Sequence, residues 1–197
     1  MKMDRANGES MMSASQTVGP FFSIGMEHLD GADMTVPEIA GTVIRIRGKV
    51  VDGDGAAVPD AQLEFWQADA EGNYSENKCE AAKHGPAKFT GFARVPTDTA
   101  GNFELRTIKP GGVRDSDGKA QAPHIAIFIF MRGLLKPLYT RIYFAGEEAN
   151  EKDAVLNLVP GARRDSLVAQ KDRDGDRDLF RWDVRLQGPH ETVFFEW

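Results

Sequence analysis

Apolar and polar residues alternate along most of this chain with the two-residue period of β-strands. Ile44, Ile46, Gly48 and Val50 fall on one side and Val43, Arg45, Arg47 and Lys49 on the other, because successive strand side chains point to opposite faces. Asp52-Gly53-Asp54-Gly55 then marks a tight turn, since Asp and Gly tolerate turn geometry. Further strands are predicted over 63–67 and 89–95, the latter ending at Pro96-Thr97-Asp98. Another runs through Phe103, Leu105 and Thr107 until Lys109-Pro110-Gly111-Gly112 breaks the pattern. Residues 125–131 are apolar on both faces, which predicts a central strand buried between two layers. Residues 138–144 place Tyr139, Arg141 and Tyr143 on one side and Thr140, Ile142 and Phe144 on the other, and 180–186 and 192–197 complete the set. Only 153–156 and 163–170 offer a helical turn or two. Short strands at this spacing, separated by Gly and Pro turns, predict an all-β fold, an antiparallel β-sandwich with few short helices.

Two stretches lie outside the core pattern. Residues 1–22 form an aperiodic N-terminal arm ending in Phe21 and Phe22, and residues 23–197 make up the sandwich domain. The other end carries Phe194, Phe195 and Trp197. Aromatic rings at chain ends are costly to leave in water. Either end could dock within its own chain, but together they favour a subunit interface.

Composition narrows the function classes. A chain of 197 residues with 41% hydrophobic and 27% charged residues is long enough for one domain with a real core. Its net charge of −6 argues against nucleic acid, which demands a basic surface. The first fifteen residues lack an apolar stretch, as expected for a chain without a signal peptide. The apolar run at 125–131 is far shorter than the roughly 20 residues that span a bilayer. A single cysteine, Cys79, cannot form an internal disulfide and fits a reducing cytoplasm. A soluble cytoplasmic protein is expected.

The candidate chemistry is sparse when read residue by residue. The four histidines are His28, His84, His124 and His190. A strand-borne metal pair needs positions i and i+2, but the residue two beyond His124 is Ala126. The acidic run from Asp172 to Asp178 places its glycine too early for a calcium loop and is interleaved with arginines. No Gly-x-Ser-x-Gly elbow supports a nucleophilic serine. Gly111-Gly112 lacks the helix and Lys-Ser/Thr pair of a phosphate cradle. Arg132, at the end of the most apolar strand, reads either as a salt bridge or solvated strand end, or as a fork for an anionic substrate or partner carboxylate.

Longer segments carry more information. Ser15-Gln16-Thr17-Val18-Gly19-Pro20-Phe21-Phe22, the stretch from Leu63 to Tyr74, Arg106-Thr107-Ile108-Lys109-Pro110-Gly111, Ala122-Pro123-His124-Ile125, Thr140-Arg141-Ile142-Tyr143-Phe144 and the close from Gln187 to Phe195 together resemble the intradiol ring-cleavage dioxygenases. The resemblance implies a β-sandwich. Catalytic chains of that family hold ferric iron with two tyrosinates and a His-x-His pair, hard donors suited to Fe(III). Position by position, Tyr74 and His124 match two of the four ligands. Ala126 stands where the second histidine belongs, and no tyrosine occurs between Pro110 and His124. Gln121 stands where catalytic chains carry an arginine. The resemblance therefore implies an α-type chain without catalytic residues or a metal site of its own, Tyr74 and His124 being remnants. Fe(III) would be bound on a homologous β chain in a higher hetero-oligomer. It further implies protocatechuate and O2 as substrates, 3-carboxy-cis,cis-muconate as product, and Thr17, Gly19, Pro20 and Arg132 as substrate-binding positions reaching the partner's site. Phe21 replaces a tyrosine common among relatives. A self-sufficient catechol-type dioxygenase and a non-enzymatic β-sandwich binding module are the alternatives.

Overall fold

A computed structural model describes residues 14, 16, 17, 19, 22–75, 88–172 and 178–196. Among the described residues eleven strands follow one another: β1 (Val43–Val51), β2 (Gln62–Gln67), β3 (Phe92–Pro96), β4 (Asn102–Ile108), β5 (Val113–Arg114), β6 (Ala120–Gln121), β7 (His124–Phe130), β8 (Leu138–Phe144), β9 (Val168–Lys171), β10 (Leu179–Arg181) and β11 (Val184–Arg185). The α-helix among the described residues is one turn, α1 (Gly161–Arg164), flanked by short 3-10 turns. Nine strands form one sheet in the order β11-β1-β10-β9-β8-β7-β2-β3, with β4 on the other edge of β1. β5 and β6 make a separate hairpin in what the hydrophobic pattern leaves as a polar loop.

The sheet is mixed, which corrects the antiparallel expectation. β1 pairs in parallel with β10 and β11, and β8 with β9. Between β8 and β9 the chain crosses over through 3-10 turns and α1, the kind of long connection a parallel pair requires. Side-chain alternation reports which face a residue takes but not strand direction, so this feature leaves no trace in the pattern. The segment predicted as helix over 163–170 is the end of this crossover together with most of β9. The strand predicted over 180–186 divides at Trp182-Asp183 into β10 and β11. The last predicted strand survives as a single bridge between Phe195 and Tyr139.

The sheet curls until its edges nearly meet. Gly31 N donates to Arg94 O on β3 at 2.9 Å, while Arg106 N on β4 donates to Ala32 O at 2.7 Å and Met34 N to Arg106 O at 2.9 Å. Residues 31–34 thus staple β3 to β4 and protect both edges, which otherwise would template further strand pairing. Inside, Ile44, Ile46, Leu63, Phe65, Leu105, Ile125, Ile127, Ile129, Ile142 and Phe144 form the core. The central strand β7 buries only one face fully: Ile125, Ile127 and Ile129 are inaccessible, whereas Ala126, Phe128 and Phe130 are partly exposed. The expectation of two buried faces is corrected accordingly. The C-terminal segment docks on its own chain, with Phe194 against the main core and Val193 and Phe195 against a smaller cluster around Tyr143, Leu156 and Leu167. Cys79, His84, Phe21, Trp197 and most of the acidic run lie outside the described residues. Among the described residues no helix is long and apolar enough to cross a membrane.

Gly48 shows how tightly the division between β10 and β11 is packed. A Cβ at this position would overlap the Trp182 carbonyl oxygen and lie 2.7 Å from the Phe103 ring. Trp182 N donates to Arg47 O at 2.9 Å, so that carbonyl cannot retreat without breaking the pairing. Gly48→Ala is expected to destabilise the fold by about 3 kcal/mol in denaturant unfolding, the upper range for overpacking. Gly161→Ala, with open space around it, is expected to change stability by less than about 0.5 kcal/mol.

Candidate functional site

The partly exposed face of β7 is the floor of the site. Antiparallel pairing sets Trp66 of β2 opposite Ala126, and on the other side sets His124 opposite Tyr143, Ala126 opposite Arg141 and Phe128 opposite Tyr139. Directly opposed side chains on one face lie close enough to interact. Ring contacts follow, with centroids 5.8 Å apart for His124 and Tyr143, 5.1 Å for Phe128 and Tyr139, and 5.9 Å for Tyr139 and Phe195. Trp66 leans on Phe92 at 4.5 Å. Tyr74 joins from the loop after β2. Asp69 shapes this loop, its carboxylate accepting from Glu71 N and Asn73 N at 2.9 Å each. Gly72 adopts φ +88°, and a side chain there would run into the Gly112 carbonyl, so only glycine suits the close approach of the two loops.

His124 and Tyr143 are held by a buried scaffold. His124 Nδ1 is 2.8 Å from Ala122 O, so this nitrogen carries the proton and donates. Burial, with the Arg141 charge as the next cause, holds the imidazole below its ordinary pKa of 6.5. Asp153 is inaccessible to solvent and its carboxylate accepts from Ala122 N at 2.8 Å, Leu156 N at 2.7 Å and the Tyr143 hydroxyl at 3.1 Å. Burial, reinforced by Asp153, raises the Tyr143 pKa far above that of an ordinary phenol. Tyr74 is 51% exposed, yet desolvation of its hydroxyl still raises its pKa, an effect partly offset by Arg141 and increased by Tyr139.

The centre of this group is a guanidinium. Arg141 Nε donates to the Tyr139 hydroxyl at 3.0 Å and its Nη1 to Gln121 Oε1 at 2.9 Å. Desolvation opposes the charge, but these hydrogen bonds prevail and hold Arg141 protonated. A ferric ion does not fit this donor set. Its two matching ligands, Tyr74 and His124, both feel the charge of Arg141, and burial biases Tyr74 and Tyr143 towards their protonated forms. Among the described residues no three His, Cys, Asp or Glu side chains converge on a metal position.

Arg132 lies at another corner, with its Nε ion-paired to Asp60. Next to it, Gly133 N donates to Thr17 Oγ1 at 3.0 Å, so the arm returns to the end of β7 and Thr17 and Arg132 come together. Gly19 O accepts from Phe22 N at 3.4 Å, and Phe22 O accepts from the buried Arg94. Pro20 lies outside the described residues. Sequence reasoning missed Arg141 and Asp153 as site organisers. The alternation of Tyr139, Arg141 and Tyr143 on one strand face was the available signal for the first; Asp153 reaches its partners only through tertiary folding.

Two measurements check this arrangement. Asp153→Ala is expected to cost about 3 kcal/mol or more, because it orphans three buried donors, while Asp153→Asn, which keeps one acceptor oxygen, costs less. Since the folded chain holds His124 below 6.5, the unfolded chain takes up that proton first. Stability is therefore complete above about pH 6.5 and falls on acidification, by up to about 1.4 kcal/mol per pH unit, until the folded pKa is passed. His124→Asn is expected to remove this slope in urea titrations between pH 6.5 and 5.

Comparison with known proteins agrees with this geometry. A family described as Dioxygenase matches residues 18–188. The protocatechuate 3,4-dioxygenase alpha chain of Burkholderia cepacia is 43% identical over 195 residues, covering 92% of this chain and 95% of that one. The beta chain from the same organism is 30% identical over 161 residues, covering 79% and 68% respectively. Among solved structures, the dioxygenase domain of a dioxygenase carbohydrate-binding protein fusion from Streptomyces sp. SirexAA-E superposes with a TM-score of 0.61 at 24% identity, over 80% of this chain and 88% of that one, a likeness of fold. The family match over residues 18–188 and these relatives show that the chain belongs to the intradiol dioxygenase family.

Proposed function

We propose that this chain is the α subunit of a heteromeric intradiol dioxygenase that cleaves protocatechuate with O2 to 3-carboxy-cis,cis-muconate, both oxygen atoms ending in the product. The carrying observation is the near full-length similarity to an α chain. The β chain match supports a homologous partner as the holder of the Fe(III). When bound there, the ferric ion supplies coordination of the catechol oxygens and activation of the ring towards O2.

This chain's own contribution is orientation and closure. In this reading residues 1–22 act as an arm, and Thr17, Gly19, Pro20 and Arg132 line the partner's pocket. A catechol carboxylate needs a counter-charge that fixes its direction, and a planar guanidinium provides one. Asp60 engages Arg132 through Nε, and an arginine's terminal amino groups can still meet a carboxylate. The arm brings apolar and backbone surface that excludes water from the reacting ring. Neutral substrate walls and a single oriented cation are what a carboxylated catechol requires. A cytoplasmic location accords with this reading.

Co-expression tests the assignment. The chain alone is expected to show neither ring cleavage nor a tyrosinate-to-iron absorption band, and both are expected when it is produced with a β-type chain. One ferric ion per isolated chain with turnover of protocatechuate would refute it. In the assembled enzyme Arg132→Ala is expected to raise KM for protocatechuate about tenfold or more, the scale of a lost charge-assisted contact, with the heteromer intact by gel filtration. Dissociation instead would make Arg132 an assembly residue. Removal of residues 1–20 is expected to lower kcat/KM by at least about tenfold.

A further inference from the structure

We propose that the guanidinium of Arg141 has taken over the structural place of the family's metal ion, serving as a permanent internal cation around which the remaining ligand-type side chains are organised and against which ferric ion cannot enter. The inference rests on membership of the family and on this chain's own contacts. It does not depend on assembly with a partner.

Register provides the first support. Ala126, at the position of the second histidine, is the direct cross-strand partner of Arg141. Opposed side chains in an antiparallel pair start about 5 Å apart, so the residue at 126 is a direct same-face neighbour of Arg141. A methyl group there leaves the arginine more room than an imidazole would, and removes a donor that a metal at this place would need.

Gln121 provides the second. It is the residue found in place of the family's arginine, and its Oε1 accepts from Arg141 Nη1 at 2.9 Å. A cation at 121 would repel the guanidinium, whereas a neutral amide oxygen accepts from it. Arg141 is thus met by two neutral oxygens, the Gln121 amide and the Tyr139 hydroxyl at 3.0 Å. Tyr143, two residues on along the same strand face, donates to the wholly buried Asp153 carboxylate at 3.1 Å.

The cation also has a structural output. Tyr139, fixed at its hydroxyl by Arg141, receives Phe195 N on its carbonyl at 2.8 Å and packs against the Phe195 ring. Loss of the guanidinium would loosen the seat of the C-terminal segment as well as the site.

The test uses the full chain and compares neutral, cationic and metal-competent variants. Arg141→Met keeps most of the volume but not the charge, and Arg141→Lys keeps the charge. Tm is expected to fall by about 4 °C or more for Met and by less than half as much for Lys. Equal Tm for wild type and Met, or equal losses for Met and Lys, would overturn the proposal. Iron uptake gives an independent reading. After incubation with ferric nitrilotriacetate and desalting, Ala126→His alone is expected to retain no more iron than wild type. Ala126→His combined with Arg141→Ala is expected to retain at least tenfold more, with a visible tyrosinate-to-iron band. Iron binding by Ala126→His with Arg141 intact, or none by a folded double variant, would show that the guanidinium is not what occupies the metal's place. If the double variant fails to fold, the Met and Lys comparison decides. Neither result bears on whether a β-type chain is the partner.

Discussion

In the pair formed by β7 and β8, every residue on the outer face has one partner directly across, and the opposite face determines which. Ile125, Ile127 and Ile129 are inaccessible and pack with Ile142 and Phe144. Sliding the pair by one residue would turn these side chains out to water and bring Ala126, Phe128 and Phe130 inwards. Each large aliphatic side chain so exposed would forfeit roughly 1.5–3 kcal/mol, far more than any single polar contact on the outer face returns. The core therefore dictates the site: with the isoleucines inward, Arg141 must lie across from Ala126 and Tyr143 across from His124.

Polar burial sets the second constraint. Asp153 sits at zero exposure with no cation in direct contact among its hydrogen-bond partners, and it is tolerated because two backbone amides and one phenol satisfy it. Those amides belong to Ala122, immediately before β7, and to Leu156, in the crossover towards β9. One carboxylate thereby fastens the entrance of the central strand to the connection that makes the β8–β9 pairing parallel.

Much of the strand content is legible from the sequence: β1, β2, β4 and β8 are recognisable by a period of two, and β7 by its unbroken apolar run. Direction, closure and pairing are not. The parallel entry of β9 and β10 depends on a crossover whose short turns carry little periodic signal, and the staple by residues 31–34 is made by backbone atoms whose identity no side chain announces. At the site, the missing histidine at Ala126 is visible in one dimension, but its relation to Arg141, fifteen residues away in sequence, appears only once the register is known. The Arg132–Asp60 pair is hidden for the same reason. The N- and C-terminal aromatics illustrate a different limit. Hydrophobicity establishes that a ring needs cover, not whose surface supplies it, and Phe194 and Phe195 find theirs within the chain.

A metal ion and an arginine solve the same local problem in different ways. Phenols and an imidazole gathered on one sheet face and largely shielded from water need partners for their polar atoms. A trivalent ion answers this with short bonds and reactivity. A guanidinium answers with directed hydrogen bonds, leaves the phenols protonated, and supplies no open coordination position. Gln121, Ala126 and Arg141 are then mutually consistent: a neutral acceptor, a small residue that yields space, and the cation that uses both. Once those partners are supplied covalently, the fold keeps its rigid outer face without reactive chemistry, and the corner where Thr17 meets Gly133 beside Arg132 is free to diverge towards recognition rather than catalysis.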